Sequence, residues 1–360
     1  MEGKFSTGKK PLRDPRAPPT VKAMTTTATQ PVSTEVKAAD LKTVYRWMLS
    51  ARLLEDKIAA LYRSGKIFGG VYRSKGQEAV SAAIGNSLQK GDVFAPLIRD
   101  TAGRLAFGET MHEVFRTYLG SIKGPMRGRD GNVHRGNWDK RLVPMISHLG
   151  AMTSVVVGSL VARRMQGETG MVGATCIGDG GTSTGAFHEG LNLAAVERAP
   201  IVVVIVNNQY AYSTPTNLQF ACDDLVDRAI GYGVRGVTVD GTDFAACSQV
   251  MQESVDRARA GDGPQMIVAS LLRLAGHGEH DDASYVSADL KESQMGRDCL
   301  TYAEEFLQTQ QLVPAHQLTQ WRAEITAQIE RTANEVLREP APDADQEIWQ
   351  ALASGLDKFQ

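Results

Sequence analysis

Apolar positions along this chain recur with two different periods, and the switches between them mark out its elements. Leu41, Val44, Tyr45, Met48, Ile58 and Leu61 fall near helical spacing, and Gly65 follows them, so a packing helix is expected over 38–63. Gly76-Gln77-Glu78-Ala79 opens a second helix, whose small residues suit close approach of a neighbour. Asp92-Val93-Phe94 reads as a strand that runs into a turn at Arg99-Asp100. Further on, the pattern predicts a helix over 152–166, a buried strand ending at Ile177, and a helix carrying Phe187, Leu191 and 193–196 on one apolar side. Pro200 stops that helix, and 201–206 is an unbroken β-branched strand. Two more strands, 234–239 and 265–271, flank a helix over 244–260, which Asp240-Gly241-Thr242-Asp243 should introduce as a turn and cap.

Strand and helix therefore alternate, and the expected fold class is α/β, a doubly wound parallel sheet with helical N- and C-terminal extensions. Residues 1–36 lack periodic apolar positions and are expected to be a disordered tail; 37–310 form the α/β domain, and 311–360 a helical C-terminal extension. Leu300, Phe306, Leu307, Leu318, Trp321, Ile325, Ile329 and Val336 keep helical spacing there, before a polar linker at 339–345 and a last short helix.

Composition narrows the function classes. With 42% hydrophobic and 22% charged positions, the 360 residues can bury a large core. Lys+Arg 39 against Asp+Glu 41 leaves a net charge of −2, which offers no general attraction to nucleic acid or membrane, and neither is expected as a partner. The basic, glycine-rich stretch 124–137 lacks the interleaved aromatic residues of an RNA-binding segment. It reads better as a long loop beside an anionic cofactor or partner, with His134 in a structural role. Cys176, Cys222, Cys247 and Cys299 show no CxxC spacing, so buried free thiols are expected. The prolines of the basic tail interrupt any long amphipathic helix, which weakens a transit-peptide reading.

The candidate chemistry lies between Cys176 and Pro215. The strand ending at Ile177 stops at Gly178-Asp179-Gly180-Gly181, and the next strand stops at Asn207-Asn208. A strand, helix, strand unit of this length makes a parallel crossover, so both turns fall at the carboxyl edge of the sheet, where such sheets bind ligands. If the strands are neighbours, roughly 4.8 Å apart, Asp179 and Asn208 can reach one cation. An oxygen-rich, carboxylate-poor site suits Mg²⁺ completed by water and phosphate, and the glycines let backbone N–H groups approach that phosphate.

These residues, with GDGGTSTGAFHEGLNLA before and NNQYAYSTP behind, resemble the alpha subunit of the two-chain, thiamine diphosphate-dependent 2-oxo acid dehydrogenases, the pyruvate and branched-chain enzymes. VYRSKGQEA resembles a further stretch of those subunits, and the likeness spans about residues 40 to 310. It implies the thiamine diphosphate-binding fold, with Gly178, Asp179, Gly180, Gly181 and Asn208 at the diphosphate. It also implies Mg²⁺ held by Asp179, Asn208 and the Tyr210 carbonyl. Arg99 matches the phosphate-binding arginine, although Ile98 stands where the family has a tyrosine. Ser147 matches a contact on the aminopyrimidine side, and Leu149 the bulky residue that bends the cofactor. His277, in the period-breaking loop 273–285, matches the functional histidine and is the candidate catalytic and cofactor-binding imidazole. Gly278 replaces the serine that kinases target in animal enzymes, and Ala275 replaces an earlier histidine. His280, Asp281 and Asp282 are expected in salt bridges rather than at a metal.

The resemblance further implies a beta subunit that completes an α2β2 enzyme and supplies the activating carboxylate, a lipoyl acyltransferase component as acceptor, and a 2-oxo acid substrate. The compartment it implies is the cytoplasm of a bacterium, or the mitochondrial matrix if the source is eukaryotic. GDGGTSTGAFHEG resembles bacterial pyruvate enzymes, whereas STPT and HDDASY resemble branched-chain ones. Acetoin dehydrogenase, a transketolase-like enzyme and a catalytically silent partner-binding subunit stay open as alternatives.

Overall fold

A computed structural model describes residues 37–346; the expected N-terminal tail and the last short helix lie outside the described residues. In chain order come α1 (Ala38–Arg63), α2 (Glu78–Ser87), β1 (Val93–Ala95), α3 (Thr101–Ala106), α4 (Met111–Tyr118), α5 (Ala151–Met165), β2 (Gly173–Gly178), α6 (Gly185–Val196) and β3 (Ile201–Asn207). They are followed by the small strands β4 (Tyr210–Ala211) and β5 (Thr214–Pro215), then α7 (Arg228–Tyr232), β6 (Arg235–Asp240), α8 (Phe244–Arg259), β7 (Gln265–Ser270), α9 (Ala288–Glu292), α10 (Cys299–Thr309) and α11 (Ala315–Val336). Short 3-10 turns join several of them.

Five strands form one parallel sheet in the order β1-β2-β3-β7-β6. A strand buried on both faces needs apolar residues at every position, and β3 shows the result. Val202, Val204 and Val206 pack with Val80 and Ile84 of α2 and Met251 and Val255 of α8. Ile201, Val203 and Ile205 point the other way, onto Val156 and Leu160 of α5 and Phe187 and Leu191 of α6. Helices thus cover both faces, as the alternation predicted. A third apolar cluster joins α1, α4, α10 and α11, with Tyr45, Met48, Phe115, Leu307 and Ile329 at its centre. Among the described residues no helix is long and apolar enough to cross a membrane. All four cysteines are free, and Cys176, Cys247 and Cys299 are buried.

Local caps agree with the sequence. Asp243 accepts from the N–H groups of Ala245 and Ala246 at 3.0 Å and starts α8. Thr110 and Glu113 close a capping box on α4, and Glu109, just before it, lies fully inside the protein. Arg104 and Arg135 each grip Glu109 through two bonds of 2.7–3.0 Å. Burial opposes the charge on Glu109, but the two guanidinium groups hold its carboxyl at about 2.

Glu55 on α1 is buried too, accepting from the Ser74 N–H at 2.7 Å and from the Ser74 hydroxyl at 2.8 Å. Burial pushes its carboxyl up to about 7. Between its unfolded pKa and this value the folded chain holds a proton that the unfolded chain has lost, so stability falls as pH rises through that window. Glu55→Gln removes the titration. The stability of the variant relative to the parent should grow by roughly 3 kcal/mol between pH 4 and pH 8, measured by urea unfolding at each pH. A difference that stays flat with pH would refute this.

Candidate active site

Parallel pairing of β2 and β3 sets Gly178 opposite Val206, so the two chains leave the sheet side by side. The turns after β1, β2, β3 and β7 then meet at one cavity of about 530 Å³. Arg99, Asp179, Asn208 and His277 line it, one from each turn. Tyr72, Gln77, Ser147 and Leu149 complete the wall from outside the sheet. All the candidate residues singled out above, including Gly178, Gly180, Gly181 and Tyr210, share this lining.

Asp179 is 2% exposed, and one carboxylate oxygen accepts from Gln219 Nε2 at 2.9 Å. Burial raises its pKa above the ordinary carboxylate value. Asn208, also buried, donates through Nδ2 to Gln77 Oε1 at 2.6 Å. Its amide is thereby oriented with Oδ1 as the acceptor on the other side, which is the atom a cation needs. Gln77 reaches this position because Gly76 adopts φ +96 against the Leu272 carbonyl, where any Cβ would stand 2.8 Å from that oxygen.

Beyond β3 the chain folds back in the β4–β5 hairpin, with Tyr212 at φ 56 in its turn. A tyrosine pays for that left-handed backbone unless neighbours hold it. Arg273 does so: Nη2 donates to the Tyr212 carbonyl at 2.8 Å and Nη1 to the Tyr210 carbonyl at 3.4 Å. Gly180 seats the hairpin from below, since a Cβ there would stand 2.4 Å from Ala211 Cβ.

The cavity is prepared for an anion. Arg99 is buried, donates to the His277 carbonyl and leaves its Nε without a partner. Burial, then the charge of Arg273, lowers its pKa to about 10. At Gly178 nothing lies within 4 Å of a would-be Cβ, so the backbone borders open space. Leu149, 41% exposed, is fixed by a bond of 3.1 Å from Thr184 Oγ1 to its carbonyl. The His277 ring lies 4.5 Å from that of Tyr212, with its Nδ1 buried and unpartnered. Burial first, then Arg99 and Arg273, lower its pKa to about 4, so the ring is neutral at physiological pH. A diphosphate and a divalent cation fit this donor set: two buried guanidinium groups, a carboxylate, an amide oxygen and a carbonyl. Among the described residues no group of three His, Cys, Asp or Glu could hold a metal.

The expected salt bridges of Asp281 are replaced by hydrogen bonds within its own loop. Asp281 accepts from His277 N at 2.5 Å, Tyr285 Oη at 2.7 Å and Ala283 N at 3.0 Å, which satisfies the carboxylate locally. Glu279 makes the ion pairs there instead, with Arg63 and Arg73. Sequence reasoning missed Gln77, Gln219 and Arg273 as site residues. The GQEA stretch carried a signal for Gln77; Gln219 lies in an irregular segment with none.

The sequence profile of the family described as "Dehydrogenase E1 component" matches residues 45–345. The alpha subunit of acetoin:2,6-dichlorophenolindophenol oxidoreductase from Cupriavidus necator is 35% identical over 303 residues, covering 84% of this chain and 91% of the relative. The 2-oxoisovalerate dehydrogenase subunit alpha of Bacillus subtilis is 36% identical over 273 residues, 75% of this chain and 81% of its own. The 3-methyl-2-oxobutanoate dehydrogenase subunit alpha of Mycobacterium tuberculosis is 32% identical over 336 residues, 89% and 84% respectively. With a profile spanning most of its length and alpha-subunit relatives matched over 81–91% of their own, the chain belongs to the dehydrogenase E1 component family, among its alpha subunits.

Proposed function

We propose that the chain is the alpha subunit of a 2-oxo acid dehydrogenase that decarboxylates its substrate on thiamine diphosphate and passes the acyl group to a lipoyl arm. The observation that carries this reading is the unpartnered Nε of buried Arg99 in the same cavity as Asp179 and Asn208. When bound, thiamine diphosphate supplies the carbanion chemistry. Arg99 binds the terminal phosphate with a planar fork of donors, and the backbone from Gly178 to Gly181 approaches the diphosphate closely. Asp179, Asn208 Oδ1 and the Tyr210 carbonyl would hold Mg²⁺, the carbonyl having a second lone pair for its bond from Arg273 Nη1. Leu149 would support the cofactor and Ser147 would contact its aminopyrimidine side, both from the cavity wall. His277, neutral in the free chain, would donate a hydrogen bond to the substrate carboxylate, which can only accept.

The activating carboxylate comes from a beta subunit in an α2β2 assembly, and a lipoyl acyltransferase takes the product. The chain alone should give no turnover, while the chain reconstituted with its beta subunit should decarboxylate pyruvate or 3-methyl-2-oxobutanoate in the presence of Mg²⁺ and thiamine diphosphate. Robust turnover by the pure single chain would overturn the half-site. Acetoin cleavage is the second reading, favoured by the 91% coverage of the Cupriavidus relative. Assaying the reconstituted pair with all three compounds decides between them.

A further inference from the structure

Three side chains form a line that reaches the cavity, and the proposed chemistry uses only the last of them, Ser147. Asp130 Oδ2 lies 2.9 Å from His134 Nδ1, and His134 Nε2 lies 3.2 Å from Ser147 Oγ. Asp130 is held by the Asn132 N–H, which donates to its Oδ1 at 2.7 Å. On the other side of His134, Arg135 is anchored through two bonds to Glu109. The imidazole is therefore positioned from both directions although it sits in a glycine-rich loop. Its side chain keeps 30% exposure, while Ser147 belongs to the cavity wall.

The chemistry of the line follows from the acid at its end. A carboxylate can only accept, so the neutral His134 ring carries its proton on Nδ1 and offers Nε2 as an acceptor. Ser147 must then donate to Nε2, which leaves its oxygen lone pairs for a donor inside the cavity. We propose that Asp130, His134 and Ser147 form a proton relay between the cavity and solvent. A donor in the cavity gives its proton to Ser147 Oγ while Ser147 passes its own proton to His134 Nε2. One O–H bond forms as another breaks, one N–H bond forms, and no electron pair leaves the line. Asp130 balances the imidazolium and takes its Nδ1 proton, an N–H bond breaking as an O–H bond forms, and the part-exposed carboxyl then releases that proton to water. Run backwards, the same steps deliver a proton to the cavity. Ser147 is the group that meets the cofactor; His134 and Asp130 act through it as positioning and relay residues.

This inference rests on the cavity being the thiamine diphosphate site, and two measurements separate its failure from failure of that reading. In the full chain labelled with ¹⁵N-histidine, long-range proton–nitrogen spectra report the His134 tautomer, the signals being assigned by their loss in His134→Asn. A protonated Nδ1 and an unprotonated Nε2 are expected, with the preference lost in Asp130→Ala, which has no acceptor; a ring protonated on Nε2 alone overturns the relay whatever the cavity binds. In the reconstituted enzyme, deuterium exchange of the cofactor's thiazolium ring proton is followed by quenched NMR. His134→Asn and Asp130→Asn should each slow exchange at least about 10-fold, as losing a supporting hydrogen-bond partner does, with thiamine diphosphate affinity held within about twofold. Ser147→Thr, which keeps the hydroxyl, should exchange faster than Ser147→Ala. Equal exchange in all variants overturns the relay and leaves the cofactor site intact, whereas no cofactor binding by the unmutated enzyme overturns the functional reading and the relay with it.

Discussion

Asp179→Ala is expected to lower the affinity of the reconstituted enzyme for thiamine diphosphate in Mg²⁺ by at least about 100-fold, the upper end of what the loss of even an indirect ligand partner costs. The side chain is the one carboxylate among the proposed ligands, and without it the diphosphate charge beside the cation is poorly balanced. The same substitution should not harm the fold. Asp179 is buried, with a raised pKa and a bond to Gln219, so its removal relieves a desolvation cost rather than breaking a core contact. Calorimetric titration with Mg²⁺ and with a chelator measures the effect, and a thermal melt confirms folding. Asp179→Asn, which keeps an oxygen and loses the charge, should fall between parent and alanine variant. Unchanged affinity in Asp179→Ala would reject the metal site.

His277→Ala in the reconstituted enzyme should lower the rate by roughly 10² or more at saturating cofactor and substrate, as losses of general acid–base groups do. The geometry sharpens that expectation. Burial, Arg99 and Arg273 keep the ring neutral above about pH 4 in the free chain. An anion that binds both guanidinium groups weakens their repulsion of the imidazolium and raises the pKa, so loading the site moves His277 toward neutrality, where proton transfer is most effective. Titration by NMR with and without thiamine diphosphate should show the upward shift. A rate defect that disappears at saturation would assign His277 to shaping the loop alone.

Much of the sheet was legible because its strands are buried on both faces and interrupt the helical period cleanly: β3, β6 and β7 begin and end within about a residue of where the apolar runs do, and β2 ends one residue past Ile177. Residues 101–123 yielded no elements, although they hold α3 and α4. These helices are short, and α3 is set by contact rather than by periodicity: a Cβ on Gly85 would lie 2.4 Å from the Gly103 carbonyl, and one on Gly103 would lie 2.5 Å from the Ser81 carbonyl. Such backbone-to-backbone packing between α2 and α3 leaves only glycines in the sequence. Asp179 and Asn208 were legible because each follows a strand and so returns to the same edge, whereas Arg99 and His277 were singled out by the resemblance of their segments to the family. Gln219 and Arg273 were not, since their partners are a distant carboxylate and two carbonyls that only the folded hairpin presents.

The grip of Arg104 and Arg135 on Glu109 bears on how far the loop carrying His134 can change in length. Two buried cations share one buried anion there, and removing the anion would leave both uncompensated, a loss of about 3–5 kcal/mol. The clamp fixes the chain at Arg135, directly after His134. Before Asp130, Gly124 and Gly128 pack against Arg116 and Pro342, so added residues can be accommodated only around the exposed Arg127 between them. Between Asp130 and Arg135 a single inserted residue would rotate the imidazole away from Ser147. Grafting of longer loops, or comparison of chains that carry them, should find length variation confined to the segment before Asp130, with the spacing from there to Arg135 held constant.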